Sequence, residues 1–360
     1  IGLTGFLVAI IGPIAGTFAD KKNKTVFFVR SFSLLCILFT TLLWYAKPSQ
    51  TYLMYTLVIV GIANIFYELS SIFYNSLLKD ITKEKNLGKS SGFGFALGYI
   101  GGILILLLSI KLFIDNDNLP FGLTKYEHQN IRAVALLVSF WFLIFSIPFL
   151  FLAIKEKKNK GNYSIDFYSL KKLIWNKKIT VLGKFLVARM LYADGLNAII
   201  IMGGIFAVGV FNLEIKDLLK LSIIMNITAF IGAFVGGIIN DKYGSKIVII
   251  FSLIGLIFSS VAILFTFKVS IFFYLAAING LFIGPIQSAS RVVITSMLNK
   301  NNQGKGFGLF ATSGKLTSFL GPLLVSTVTF ITSSQRIGFS AAIILLLLGL
   351  IILINIKKIN

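Results

Sequence analysis

The chain has 360 residues, of which 56% are hydrophobic and 13% charged, against roughly a quarter charged in an ordinary soluble domain. That balance excludes a soluble globular fold. A formal charge of +21 would suit a polyanionic partner in a soluble domain, but the basic residues sit in short loops between apolar runs, so membrane topology accounts for them and no nucleic acid is expected.

A helix rises about 1.5 Å per residue, so about 20 apolar residues cross the roughly 30 Å hydrocarbon core of a bilayer. Eleven such runs are expected, at 1–19, 26–46, 52–78, 91–114, 131–154, 181–211, 218–240, 247–267, 271–298, 306–332 and 337–356. The longest polar interruption, 155–178, carries eight lysines. Within it Ser169-Leu170-Lys171-Lys172-Leu173-Ile174-Trp175 reads as a short amphipathic helix lying on the membrane surface. The chain therefore divides into a helical bundle over 1–154, a central loop over 155–180 and a second bundle over 181–360. Most of the 34 lysines and arginines fall on the side of the central loop, which makes that side cytoplasmic. The expected setting is the inner membrane of a bacterium, with the lipid bilayer as the main partner and a monomer as the expected state.

One cysteine, Cys36, rules out an internal disulfide, and one histidine, His128, leaves no cluster for a metal. No Walker-type phosphate loop occurs, so neither ATP nor another cofactor is expected.

Internal echoes set the architecture. Gly16-Thr17-Phe18-Ala19-Asp20-Lys21-Lys22-Asn23-Lys24 and Gly237-Ile238-Ile239-Asn240-Asp241-Lys242-Tyr243-Gly244-Ser245-Lys246 are the same kind of helix-end turn, 221 positions apart. Gly92-Phe93-Gly94-Phe95 and Gly306-Phe307-Gly308-Leu309 form a second echo, 214 apart. Two parallel halves are the pattern of a transporter whose halves rock about a central site. About 60 residues precede the second acidic turn within its half, but only 1–19 precede the first. By this symmetry one further span of a twelve-helix protein is expected before Ile1.

Ionisable residues inside spans are expensive and mark functional candidates. Asn64, Glu68, Ser71 and Asn75 lie at spacings of four, three and four, forming one polar stripe on an apolar helix. Glu68 is a candidate to load and release a proton, with a structural hydrogen-bond role as the alternative. Asp194 and Asn197 share a face, while Arg189 points roughly 140° away and should serve another neighbour. Gln287 and Arg291 share a face with Gly280, Gly284 and Thr295. Arg291 has two readings, a ligand contact or a latch to Asp241. Lys315 stacks with Gly308, Ala311 and Ser318. Gly94, Gly98 and Gly102 suggest close helix contact. An aspartate at a cytoplasmic helix end can cap a neighbouring helix or pair with an arginine, so Gly16, Asp20, Gly237 and Asp241 are candidates for a conformational latch.

The two acidic turns resemble the major facilitator loop signature. More specific resemblance lies in Phe73-Tyr74-Asn75-Ser76-Leu77-Leu78, Ser91-Gly92-Phe93-Gly94-Phe95-Ala96-Leu97-Gly98-Tyr99-Ile100-Gly101-Gly102, Ala188-Arg189-Met190-Leu191-Tyr192-Ala193-Asp194-Gly195-Leu196-Asn197, Gly284-Pro285-Ile286-Gln287-Ser288-Ala289-Ser290-Arg291 and Gly314-Lys315-Leu316-Thr317-Ser318-Phe319-Leu320-Gly321-Pro322. Together they are similar to the major facilitator branch that holds the vacuolar amino-acid effluxers of autophagy and their bacterial relatives. The family's usual first-helix signature, Tyr-Asp-Trp-Ala-Asn-like, is absent, and Tyr192 to Asn197 resembles its counterpart in the second half. The resemblance implies an all-α major facilitator fold of two pseudo-symmetric six-helix bundles. It also implies a secondary transporter that exports amino acids by alternating access. A peptide, cell-wall fragment or drug exporter of the same fold is the alternative, and a multi-pass enzyme or scaffold a more distant one, since no nucleophile, base or metal constellation is evident.

Overall fold

The computed structural model describes residues 2–22, 24–151 and 167–357. Asn23, residues 152–166 and both chain ends lie outside the described residues.

Among the described residues, eleven helical segments are long and apolar enough to cross a membrane. In the first half these are α1 (Gly2–Lys22), α2 (Thr25–Leu42), α3 (Leu53–Ser76), α4 (Leu87–Ser109) and α5 (Gln129–Phe151). A short helix follows, α6 (Phe167–Ile174). The second half contains α7 (Val181–Phe211), α8 (Ile215–Tyr243), α9 (Ser245–Phe265), α10 (Val269–Met297), α11 (Gln303–Lys315), α12 (Leu320–Thr332) and α13 (Gln335–Ile354). The helix ends follow local chemistry. Thr180 Oγ1 accepts from Gly183 N at the start of α7 (3.0 Å), and Asn212 takes a left-handed backbone, φ 53°, at its end. The amphipathic segment stops one residue early: Trp175-Asn176 turns back through Lys177, φ 60°, to pair with Lys178-Ile179 as a two-stranded ribbon.

The run expected over 306–332 is two helices, broken at 316–319. Pro322 has no N–H for the Ser318 carbonyl, so the hydrogen-bond ladder of one continuous helix cannot run through this point. Leu320 N instead reaches Thr317 O at 2.7 Å, and the Ser318 hydroxyl donates back to Lys315 O at 3.0 Å. The break therefore lies directly after Lys315.

Within the second half α8 packs on α10 and α7 on α13, and in the first α2 packs on α3. Between the halves, α1 lies along α11 and α4 along α8, with α10 against α4 and α3 against α11. Proline shapes a contact at this boundary and another within the second half. Pro13 cannot donate to the Ala9 carbonyl, and in hydrocarbon an orphaned carbonyl must find another donor. Thr312, from the other half, supplies it at 2.7 Å. Pro285 likewise frees Leu281 O, which presses on Gly232 where no Cβ would fit. Large apolar side chains such as Phe251, Phe258 and Phe265 stay exposed on the outer surface, where lipid covers them.

Candidate functional site

Between the halves lies a polar cavity of about 200 Å³. Its walls carry most of the sequence candidates: Glu68 and Ser71 from α3, Arg189 and Asn197 from α7, Gln287 from α10, and Lys315 at the end of α11. Lys315 Nζ meets Glu68 Oε1 at 2.5 Å, an ion pair that crosses from one half to the other. Arg189 turns away from Asp194, as its spacing required. Its guanidinium donates to Phe310 O (2.5 Å) and Ser313 Oγ (2.7 Å) and stacks on the Phe310 ring 3.3 Å from the centroid. Gly314 makes room for it, since a Cβ there would sit 2.7 Å from the guanidinium.

Three candidates stand elsewhere. Asn64 is one turn too far along α3 and donates to Thr4 Oγ1 of α1 at 2.9 Å, joining two helices of one half. Asp194 is 2% exposed and does not line the cavity, although Asn197 does. The close approach of α12 to α7, where Gly321 packs on the Asp194 carbonyl, encloses that position.

Arg291 is the third, and its pairing with Asp241 is corrected. Its Nε donates to Ser91 Oγ (2.9 Å), one terminal nitrogen to Ser91 O (2.9 Å) and the other to Asn75 Oδ1 (3.0 Å), with the Phe95 ring 4.9 Å away. Ser91 Oγ in turn donates to Ser288 O at 2.7 Å. A second-half arginine thus ties α10 to α3 and α4 of the first half, and the fork of guanidinium donors suits three acceptors at once.

Asp241 is occupied by backbone. Its two oxygens accept from Gly88 N (2.6 Å) and Lys89 N (2.9 Å), the second and third residues of α4. Asp20 does the same for α11, accepting from Gly304 N and Lys305 N, both at 2.8 Å. A carboxylate at a helix N-terminus satisfies free amides and meets the positive end of the helix dipole. Each aspartate caps a helix of the opposite half, and Gly88 and Gly304 allow the approach, since a Cβ at either would meet the carboxylate at 2.6 Å. Gly16 and Gly237 pack against the same two helix starts. These contacts align Gly88 with Gly304 and Gly92 with Gly308, so the echo read between Gly92 and Gly306 is displaced by two residues. Gly94 and Gly102 sit 3.3 Å and 3.7 Å, as Cβ positions, from the side chains of Arg291 and Asn226, and nothing lies near Gly98. The close helix contact of α4 belongs to Gly88 and Gly92 instead.

Sequence reasoning missed Tyr192, whose hydroxyl shares a 2.7 Å hydrogen bond with Ser290 in the cavity wall, and Ser91 as the acceptor for Arg291. It also missed a second, mostly apolar cavity of about 440 Å³ in the second half, lined by residues such as Phe206, Met225, Asn226 and Phe272. Gln287 lines both cavities, and Tyr99 Oη lies 3.5 Å from its Oε1. Among the described residues no three His, Cys, Asp or Glu side chains gather in a metal-binding group.

The architecture is that of solved major facilitators. The human organic anion transporter MFSD10 superposes with a TM-score of 0.75 at 14% identity, covering 98% of this chain and 83% of that one. The Escherichia coli fucose:proton symporter FucP gives 0.77 at 13% identity, covering 99% and 90%. In sequence, the uncharacterized MFS-type transporter YxiO of Bacillus subtilis (strain 168) is 25% identical over 359 residues, 98% of this chain and 82% of that protein. Autophagy-related protein 22 of Kluyveromyces lactis is 24% identical over 92% of this chain and 72% of its own length. The family model described as "Vacuole effluxer Atg22 like" matches residues 1–358. The chain therefore belongs to the Atg22-like vacuole effluxer family, and is a multi-pass secondary transporter of the major facilitator fold, not an enzyme.

Proposed function

We propose that the protein exports amino acids by alternating access, coupled to protons, and acts as a monomer in a bacterial cytoplasmic membrane. The observation that carries the reading is the cavity holding the Glu68–Lys315 pair. A zwitterion brings one carboxylate and one ammonium, and a site that already holds one of each can exchange its internal pair for the two ends of the solute. Arg189, Asn197, Gln287 and Ser71 add donors and acceptors around that pair, and Arg291, Asp20 and Asp241 close the cytoplasmic side. The same reading divides the chain into a first bundle over 1–154, a central loop over 155–180 and a second bundle over 181–360. The family's description as effluxers supports export, and the Bacillus subtilis relative supports the bacterial setting.

A larger solute, such as a peptide or drug, is the second reading, favoured by the apolar cavity of about 440 Å³ that adjoins the polar one at Gln287. Counterflow of radiolabelled solutes in proteoliposomes tests both. Exchange of single amino acids supports the first, exchange only of peptides or drugs supports the second, and no counterflow of any of them sinks both.

A further inference from the structure

The α11–α12 break holds a polar pair that the cavity does not use. Asp194 is 2% exposed, and its Oδ1 is buried with no hydrogen-bond partner. The Thr317 side chain comes against that carboxylate from the break, and its hydroxyl is also buried without a partner of normal geometry. The groups around Asp194 can be named by element. On α7 itself, Arg189 is the charged neighbour, but its guanidinium is engaged by Phe310 O and Ser313 Oγ. From α13, Ala342 and Leu346 pack beside Gly195 and bring no charge. From the break come Thr317 and, two residues earlier, Lys315, which is held by Glu68.

An ionised carboxylate without a hydrogen-bonded cation is poorly tolerated inside a membrane protein. A proton on the carboxyl removes that buried charge, and the neutral carboxyl can still pair with the Thr317 hydroxyl, which both donates and accepts. A carboxylate and a hydroxyl fall short of the oxygen shell that a hard metal cation needs. We propose that Asp194, with Thr317, is the proton-binding site of this transporter. The step is plain protonation: the carboxylate takes H⁺ when one arrangement of the halves and of the break admits water to it, and returns it to the opposite side in the other arrangement. Glu68 is left as the ionised partner of Lys315. The site rests on the proton-coupled reading above for its role, and its place on the break ties it to transport, because the same short segment carries Lys315 to the inter-half ion pair.

Infrared difference spectroscopy of the purified full chain in lipid tests the site without any solute. At about pH 7 exposed carboxyls are ionised, so a protonated carboxyl stretch that shifts in heavy water reports a buried acid. The band is expected in the wild type, lost in Asp194→Asn, kept in Glu68→Gln, and shifted in frequency by Thr317→Val, a milder change that leaves the carboxyl in place. Its absence from the wild type, its survival in Asp194→Asn, or its loss on replacing potassium with sodium would overturn the proposal. In proteoliposomes Asp194→Asn should lose pH-driven flux and keep counterflow. pH-driven flux that survives this change removes Asp194 as carrier. A wild type with the band but no pH-driven flux sinks proton coupling itself, and the carrier role with it.

Discussion

Lys315 and Glu68 stand on opposite halves of the molecule and meet at 2.5 Å inside the central cavity. Either one alone is a charge stranded among apolar helices, and leaving it so costs about 1.5 to 3 kcal/mol, toward the lower end here because the lysine is 34% exposed. Lys315→Met and Glu68→Gln should each lower thermal stability, and the double substitution should recover part of the loss, with a coupling of about 0.5 kcal/mol or more. Additive losses in the double variant would show that the two groups do not depend on one another.

The caps at Asp20 and Asp241 lead to a different expectation. Removing a cap typically costs about 1 kcal/mol, and each cap here joins one half to the other, so its loss should favour a form in which the halves part at this face. Asp20→Ala and Asp241→Ala should each raise the reactivity of a cysteine placed at Asn197, with Cys36 replaced, toward a thiol reagent added at the cytoplasmic face of inside-out vesicles. Unchanged reactivity in both variants would mean that the caps do not hold the mouth shut.

Two glycines make a matched contrast. A Cβ at Gly16 would collide with the Gly304 carbonyl of the other half, whereas one at Gly98 meets nothing within 4 Å. Gly16→Ala should impair transport and favour the cytoplasm-open form, while Gly98→Ala should transport like the wild type. An inactive Gly98→Ala would reveal a close approach in another state of the cycle.

Topology can be checked directly. Single cysteines in the loops at Asp20, Lys83, Lys171, Asp241 and Asn302, and after Lys357, should resist an impermeant thiol reagent in intact cells. Labelling of the Asp241 loop from outside would invert the arrangement.

The spans were readable because lipid demands an unbroken apolar run of fixed length. The latch was readable in part: two copies of one acidic turn pointed to Asp20 and Asp241, and capping was among the foreseen roles. What each aspartate would cap was not, because a backbone amide leaves no side-chain signature. Arg291 shows the same limit. Its face was correct, yet its partners, Ser91 and Asn75, are ordinary polar residues 200 and 216 positions away. Asp194 was grouped with Asn197 by helical spacing, but the break after Lys315 brings α12 over it, and that break follows from Pro322, whose effect spacing alone does not weigh. The cavity in the second half has walls from several helices and no motif, so nothing in the linear pattern announces it.

Because each half supplies the aspartate that the other half's helix requires, neither half can release the mouth on its own account. Rigid bundles must let go of both helix starts in one movement, so the capped face should toggle between two positions and pass through few intermediates. Two caps of about 1 kcal/mol each weight that toggle by a factor of about 30. Once the mouth parts, water reaches the freed amides and aspartates and restores most of their hydrogen bonding. The imbalance between the two positions is thereby kept small enough for a single bound solute to reverse it.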